Sequence, residues 1–329
     1  MPGWRNGRRN RLKIYRSQGH EGSSPSPGTN TNTVSKPKII AVIGPTASGK
    51  SGLAVLIAKK YNGEIISADS RQVYIGLNIG TGKITKKEMS SVPHHLLDVA
   101  NPKNRFTVSM YKELANKAIN EILSRGKLPI ICGGTGFYVD AVVKNVLLPD
   151  VPVNKELREK LSKKSALQLF EMLKKLDPER AIAIGQNNKV RLIRAIEIVG
   201  SLGKVPPIKT EPKYDALSIG IKTGKDVLKE KIHTRLVSRI KQGMIAEAKK
   251  LHEKGLPWKR MRELGLEYRA LARHLSGELT KQEMADQLDR EINQYARRQI
   301  QWWKRDQNIH WFPVEKTTQI YATIKKFLK

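Results

Sequence analysis

The sequence has a single cysteine, Cys132, among 329 residues. That excludes an internal disulfide, and without a CxxC pair or a Cys/His spacing of the metal-ligand kind there is no zinc signature. An apolar run of about 18 residues is also missing, and the N-terminus has no apolar signal-peptide core, so neither a membrane span nor secretion is expected. A reducing cytoplasm fits these absences. Negative charge is scarce as well: 30 Asp and Glu stand against 61 Lys and Arg, a net charge of +31. Such an excess is the electrostatic footprint of a polyanion partner, nucleic acid foremost, although composition alone does not gather the charge on one face.

Length and apolar content suit one large α/β domain with a smaller one. The chain is organised around Gly44-Pro45-Thr46-Ala47-Ser48-Gly49-Lys50-Ser51, which follows the apolar run 39–43 and precedes the helical pattern 52–58. Strand, G-x-x-x-x-G-K-S and helix together are the context of a phosphate-binding loop. Its glycines let backbone N–H groups converge on a phosphate, the helix presents its positive end, Lys50 adds a charge and Ser51 offers a hydroxyl to a magnesium ion. Gly44, Thr46, Ala47, Ser48, Gly49, Lys50 and Ser51 are therefore the candidate phosphate ligands.

A second short strand over 64–68 delivers Asp69-Ser70-Arg71-Gln72 to its carboxyl end, the edge where parallel sheets bind ligands. Asp69 there serves a magnesium shell or accepts a proton from a nucleophile; an N-cap for a following helix is the other reading. Residues 75–83 form a glycine-rich loop. His94 and His95 are adjacent, so they point apart and do not share a metal. A helix over 108–123 precedes the strand 129–132, in which Cys132 reads as core, and Gly133-Gly134-Thr135-Gly136 then carries the Thr135 hydroxyl to the same sheet edge as Asp69 and Lys50.

From Asp150 the pattern turns to charged helices over 154–163, 165–175 and 189–200, before a strand at 216–221. Helices follow over 226–242, 245–254, 262–275 and 280–306, then a final strand at 310–312. Four segments result: a basic tail over 1–37, whose composition does not bury enough surface to fold; the first part of a P-loop core over 38–149; a helical insertion over 150–213; and core completion with C-terminal helices over 214–329. The fold class is α/β, a three-layer α/β/α parallel-sheet core with a helical insertion and a helical C-terminal part. Arg235 and Arg239 lie one turn apart, within reach of one anion, with surface salt bridging as the alternative. The stretch 295–305 interleaves aromatic residues with arginines, as unpaired bases and their phosphates require.

The ordered set GPTASGKS (44–51), DSRQVY (69–74), IGTGK (79–83), PHHLLD (93–98), GGTGFY (133–138), VRLIRAIE (190–197), QGM (242–244), LGLEYRAL (264–271) and YARRQIQWW (295–303) resembles the tRNA dimethylallyltransferase family over about 38–315. The resemblance implies a Mg2+-dependent cytoplasmic monomer that transfers a dimethylallyl group from dimethylallyl diphosphate to N6 of the adenosine 3′-adjacent to the tRNA anticodon. By position, the phosphate loop would hold the diphosphate, with Ser51 on the metal. Asp69 would be the base, Thr135 would contact the reacting centre, and Lys50 and Arg235 would neutralise the leaving group. Contacts to the tRNA anticodon stem-loop would come from Asp69, Ser70, Arg71, Gln72, Thr135, Arg158, Val190, Arg191, Leu192, Ile193, Arg194, Arg297, Arg298, Trp302 and Lys304. A P-loop kinase using the same loop for ATP, a prenyltransferase acting on free adenine nucleotides, and an RNA-binding protein with a vestigial loop are the competing readings.

Overall fold

Strand β1 (Lys38–Ile43) is buried along almost its whole length, and its side chains alternate between two cores. Ile39, Ala41 and Ile43 face one, Ile40 and Val42 the other. A strand covered on both faces is why this run is apolar without polar interruptions. The structure is a computed structural model that describes residues 35–329. The expected basic tail lies, through residue 34, outside the described residues.

Along the chain, β1 leads through the phosphate loop into α1 (Lys50–Lys60), then β2 (Gly63–Ser67), α2 (Lys86–Met89), β3 (His94–His95), α3 (Val108–Ser124), β4 (Leu128–Gly133) and α4 (Gly136–Val143). A short strand β5 (Val146–Leu147) opens the insertion, which contains α5 (Lys155–Ser162), α6 (Ala166–Leu176), α7 (Pro178–Ile184) and α8 (Lys189–Leu202); β6 (Lys209–Thr210) closes it by pairing antiparallel with β5. The sheet resumes with β7 (Asp215–Lys222), followed by α9 (Lys225–Lys241), α10 (Met244–Glu253), α11 (Trp258–Glu263), α12 (Leu266–Leu275) and α13 (Lys281–Trp303). The chain ends with β8 (His310–Pro313) and α14 (Thr317–Leu328).

The main sheet has six strands in the order β3-β2-β4-β1-β7-β8, all parallel. Helices α3 and α4 cover one face, and α1 and α14 the other. Each fully buried aliphatic side chain in these layers contributes about 1.5–3 kcal/mol. A third core joins α9–α13 to Val73, Tyr74 and Leu77, and a fourth holds the insertion together around Leu169, Leu173 and Leu192. Among the described residues, no helix is long and apolar enough to cross a membrane.

Several elements were not expected from the sequence. Helix α14 is amphipathic and anchored by Ile320 and Ile324, yet its spacing is carried by only three turns. Helix α7 is shorter still, begun by Asp177, which accepts from Arg180 N–H, and by Pro178 in the first turn. His94 and His95 form the edge strand β3. His94 Nδ1 pairs with Val92 O at 2.8 Å and His95 Nε2 with Glu64 Oε2 at 2.7 Å.

Candidate active site

Parallel strands place their carboxyl ends along one edge, and the turns that follow β1, β2 and β4 meet there. The phosphate loop leaves β1 and reaches α1 through Ala47 at φ 61° and Gly49 at φ 89°. Left-handed backbone at a non-glycine residue costs about 1–3 kcal/mol and persists where the surroundings impose it. No side chain caps α1, so its first-turn N–H groups are left for a ligand at the cleft. Lys50 Nζ folds back to donate to Pro45 O at 3.1 Å. Among the described residues the buried Ser48 hydroxyl has no partner. Ser51 is exposed on the first turn of α1.

Cys132 supports this floor, its thiol donating to Lys50 O at 3.8 Å. Burial pushes that thiol up to about 11, so it is a packed core group rather than a nucleophile.

Asp69 stands just past β2. Its Oδ1 accepts Arg71 N–H at 2.8 Å and Gln72 N–H at 3.3 Å, which fixes the carboxylate on a turn over 70–73 with no helix behind it. The N-cap reading is not met, since no helix follows: Oδ1 holds the turn, and among the described residues Oδ2 has no hydrogen-bond partner. Ser70 N–H donates to Thr135 Oγ1 at 3.0 Å, and Thr135 N–H donates to Ala68 O at 3.1 Å. These two bonds lock the ends of β2 and β4 together beside Asp69.

From α9, Arg235 donates to Gly82 O at 2.9 Å and Thr46 Oγ1 at 3.4 Å. Burial lowers both Lys50 and Arg235 below their ordinary values, with Arg235 adding to the effect on Lys50 and Asp69 opposing it. Arg239 adds to the effect on Arg235. Two partly desolvated cations facing one cleft repel each other, and an anion between them relieves the repulsion.

Thr46, Lys50, Ser51, Asp69, Ser70, Arg71, Gln72, Arg235 and Arg298 line one cavity of about 320 Å³. A second cavity of about 920 Å³ lies against α9 and the 78–85 loop. Lys50, Ser51 and Arg235 border both, so the phosphate loop sits where two chambers meet.

Other expected residues lie elsewhere. Leu192, expected among the RNA contacts, is fully buried, and its side chain packs in the insertion core. Arg158 and Arg194 both clasp the buried Glu197, Arg158 through Nε at 3.0 Å and Nη2 at 2.7 Å, while Arg194 Nη2 also donates to Val151 O at 2.8 Å. Their first role is to neutralise a buried carboxylate, and burial of Glu197 is overcome by these arginines, which hold it below the usual range. Ile193 packs on the same core, whereas Val190 and Arg191 are exposed. Trp302 donates its indole N–H to Asp140 Oδ2 at 3.0 Å and carries Arg305 over its ring at 4.8 Å, so its polar atom and one face are already engaged. Trp303 is core, and Arg297 and Lys304 are exposed. Arg239 is buried, bound to Ile79 O at 2.7 Å and Glu267 at 3.4 Å; it braces the 75–83 loop and also lines the larger cavity.

Tyr295, Glu267 and Thr81, which stand within motifs noted in the sequence but were given no individual role there, also line the first cavity. Glu247 was missed as well: its carboxylate accepts N–H from Asn78, Ile79 and Gly80 at 3.1, 2.8 and 2.8 Å, and the Tyr268 hydroxyl at 2.5 Å. The glycine-rich loop at 75–83 was the only local signal for that clasp.

Fold and site together define an α/β enzyme of the phosphate-loop class, with a carboxylate across the cleft from the loop. The IPP transferase family model matches residues 72–306. The tRNA dimethylallyltransferase of Halalkalibacterium halodurans is 39% identical over 288 residues, covering 84% of this chain and 91% of its own. The tRNA dimethylallyltransferase 1 of Geotalea daltonii is 40% identical over 277 residues, with 83% and 90% covered. The crystal structure of the full-length tRNA isopentenylpyrophosphate transferase from Bacillus halodurans superposes with a TM-score of 0.69 at 38% identity, covering 89% of this chain and 97% of that one. A eukaryotic dimethylallyltransferase acting on tRNA shares the fold, with a TM-score of 0.73 at 24% identity and 84% and 74% covered. The chain belongs to the IPP transferase family.

Proposed function

We propose that this protein transfers a dimethylallyl group to tRNA, from dimethylallyl diphosphate to the exocyclic N6 of the adenosine 3′-adjacent to the anticodon, releasing diphosphate. The observation that carries the reading is the shared cavity in which the Lys50 and Arg235 cations face the Asp69 carboxylate. A kinase needs the cations; a reaction at an amino group also needs a base.

In this reading the C–O bond of the allylic diphosphate breaks with its electron pair leaving on the diphosphate. Lys50, Arg235 and the first-turn amides of α1 are donors already in place to stabilise that charge. The N6–C bond forms on the opposite side. An adenine amino group is a poor nucleophile until bonding to carbon has begun, when its proton becomes acidic, and Asp69 Oδ2 then accepts it. Thr135, whose hydroxyl accepts the Ser70 N–H, acts in this reading by holding the turn that carries Asp69. The adenosine leaves the anticodon stack to enter the smaller chamber, and the diphosphate occupies the loop where the two chambers meet.

Magnesium suits the donor set, since the Ser51 hydroxyl and the Asp69 carboxylate line one cavity and both are hard oxygen ligands. Ser51 would hold the ion, with the Asp69 carboxylate near its waters and Oδ2 left for the proton, and when bound the ion would supply further neutralisation of the diphosphate. A cytoplasmic, monomeric enzyme fits the reading.

Incubating the protein with unmodified tRNA and dimethylallyl diphosphate, followed by nucleoside mass analysis, tests it. A dimethylallyl mass gain on adenosine is expected. No gain, together with turnover of ATP on a small acceptor, would replace it with the kinase reading.

A further inference from the structure

The side-chain amide of Gln299, on α13, is 5% exposed and spends both of its polar atoms on the site. Its Oε1 accepts Thr46 N–H at 2.8 Å, and its Nε2 donates to Gly134 O at 2.8 Å. One residue thus joins the loop after β1 to the loop after β4, 253 and 165 residues away in sequence. Residue 134 leaves space for this bridge only as glycine, because a Cβ there would come within 2.2 Å of Nε2. Arg298, the preceding residue, lines the smaller cavity, as does Tyr295 one turn earlier.

We infer that Gln299 is a positioning residue that sets the gap between the phosphate loop and the Thr135 loop, and with it the fit of the donor's diphosphate. The Thr46 N–H is taken, so Thr46 faces the cleft through its hydroxyl, which already accepts from Arg235. The Ser48 N–H donates to Pro45 O at 3.4 Å, so the diphosphate is left with the amides of α1's first turn and of Ala47 and Gly49. Deleting the bridge frees the Thr46 amide and leaves the Gly134 carbonyl unpaired in a buried place, so the two loops relax independently. This inference deepens the proposed reaction and rests on that reading for the donor's identity, but its central test uses inorganic pyrophosphate and needs no turnover.

Three variants of the full chain separate positioning from bulk stability. Gln299→Leu keeps volume and removes both bonds. Gln299→Glu keeps an acceptor for Thr46 N–H but sets a carboxylate against the Gly134 carbonyl. Gly134→Ala drives the amide away while leaving residue 299 intact. Pyrophosphate affinity is read by calorimetry, the KM for dimethylallyl diphosphate and tRNA affinity by separate titrations, and folding by thermal melting.

The expected result is a weakening of pyrophosphate binding, with a matching rise in the donor KM, of about tenfold or more in Gln299→Leu. tRNA affinity should stay within about twofold, the change left by a distant, uncoupled substitution. Gln299→Glu should fall between Gln299→Leu and the parent, and Gln299→Leu with Gly134→Ala should be no worse than the poorer single variant, since both remove one bridge. Unchanged pyrophosphate affinity in folded Gln299→Leu overturns the inference. An equal loss of pyrophosphate and tRNA affinity does too, since that marks a general structural role. If the parent binds pyrophosphate but transfers nothing to tRNA, the proposed reaction fails while the bridge is still tested.

Discussion

Arg235 reaches from α9 to donate to Thr46 Oγ1 at 3.4 Å, while its other nitrogen holds Gly82 O at 2.9 Å. A guanidinium spans these two acceptors because its donors are fixed in a plane; a lysine ammonium has no such fork. Arg235→Lys is therefore expected to recover little of what Arg235→Ala loses. Both should reduce transfer by about 10²- to 10³-fold, the range for removing one preorganised donor to a developing charge. Steady-state kinetics check this, and a lysine variant with near-parent turnover would show that charge alone suffices.

Asp69→Asn separates the two duties of this residue. An amide oxygen still accepts the Arg71 and Gln72 N–H groups, so the turn survives, but the proton acceptor is gone. Transfer should fall by about 10²- to 10⁴-fold with tRNA affinity and melting temperature nearly unchanged. Turnover close to the parent's would remove Asp69 as the base.

Glu64 provides a pH signature away from the site. It is buried, and although burial alone would raise it, Lys127 at 2.8 Å, His95 at 2.7 Å and Arg125 at 2.7 Å hold it down to about 2, against an ordinary value of 4.5. A carboxylate with a depressed folded-state value stabilises the fold fully above its unfolded value and loses that contribution as the pH falls from about 4.5 toward 2. Glu64→Gln should cost about 3 kcal/mol near neutral pH. The gap between variant and parent should close over that acidic window in denaturant titrations. A gap independent of pH would mean that packing rather than charge is responsible.

Glu247 fastens the loop carrying Asn78, Ile79 and Gly80, while Arg235 and Arg239 hold its carbonyls at Gly82 and Ile79. Glu247→Ala leaves three amides and the Tyr268 hydroxyl without their acceptor. Hydrogen exchange at residues 78–80 should quicken about 10- to 100-fold, corresponding to the loss of roughly 1.4–3 kcal/mol of local protection. Unaltered exchange there would place the loop's rigidity elsewhere.

Within the insertion and α13, buried and exposed residues should behave oppositely toward RNA. Leu192→Ala should lower stability by about 2–5 kcal/mol through a core cavity. Neutralising the exposed Arg191, Arg297 and Arg298 should weaken tRNA binding and reduce its salt slope by roughly 0.7–0.9 for each phosphate that is no longer neutralised, with little effect on melting. Binding titrations at several salt concentrations check this; an unchanged slope takes these arginines off the RNA path.

The local order of residues was sufficient for the phosphate loop, the strand that delivers Asp69, and Thr135 at the same edge. Each depends on neighbours within a few positions: a G-x-x-x-x-G-K-S spacing, a β-branched run, a glycine pair. Charge composition likewise points to a polyanion without reference to any fold. What tertiary structure alone decided is which long-range partner each side chain meets. Gln299 stood inside a recognisable motif, yet its bonds to Thr46 and Gly134 exist only because α13 packs against the sheet edge. Arg158 and Arg194 looked like free cations until folding buried Glu197 between them. Leu192 shares its stretch with exposed Val190 and Arg191, and only the packing of α8 turns one inward and the others out. Backbone preference and spacing are properties of adjacent residues, whereas burial and ion pairing are properties of whatever the folded chain places alongside them.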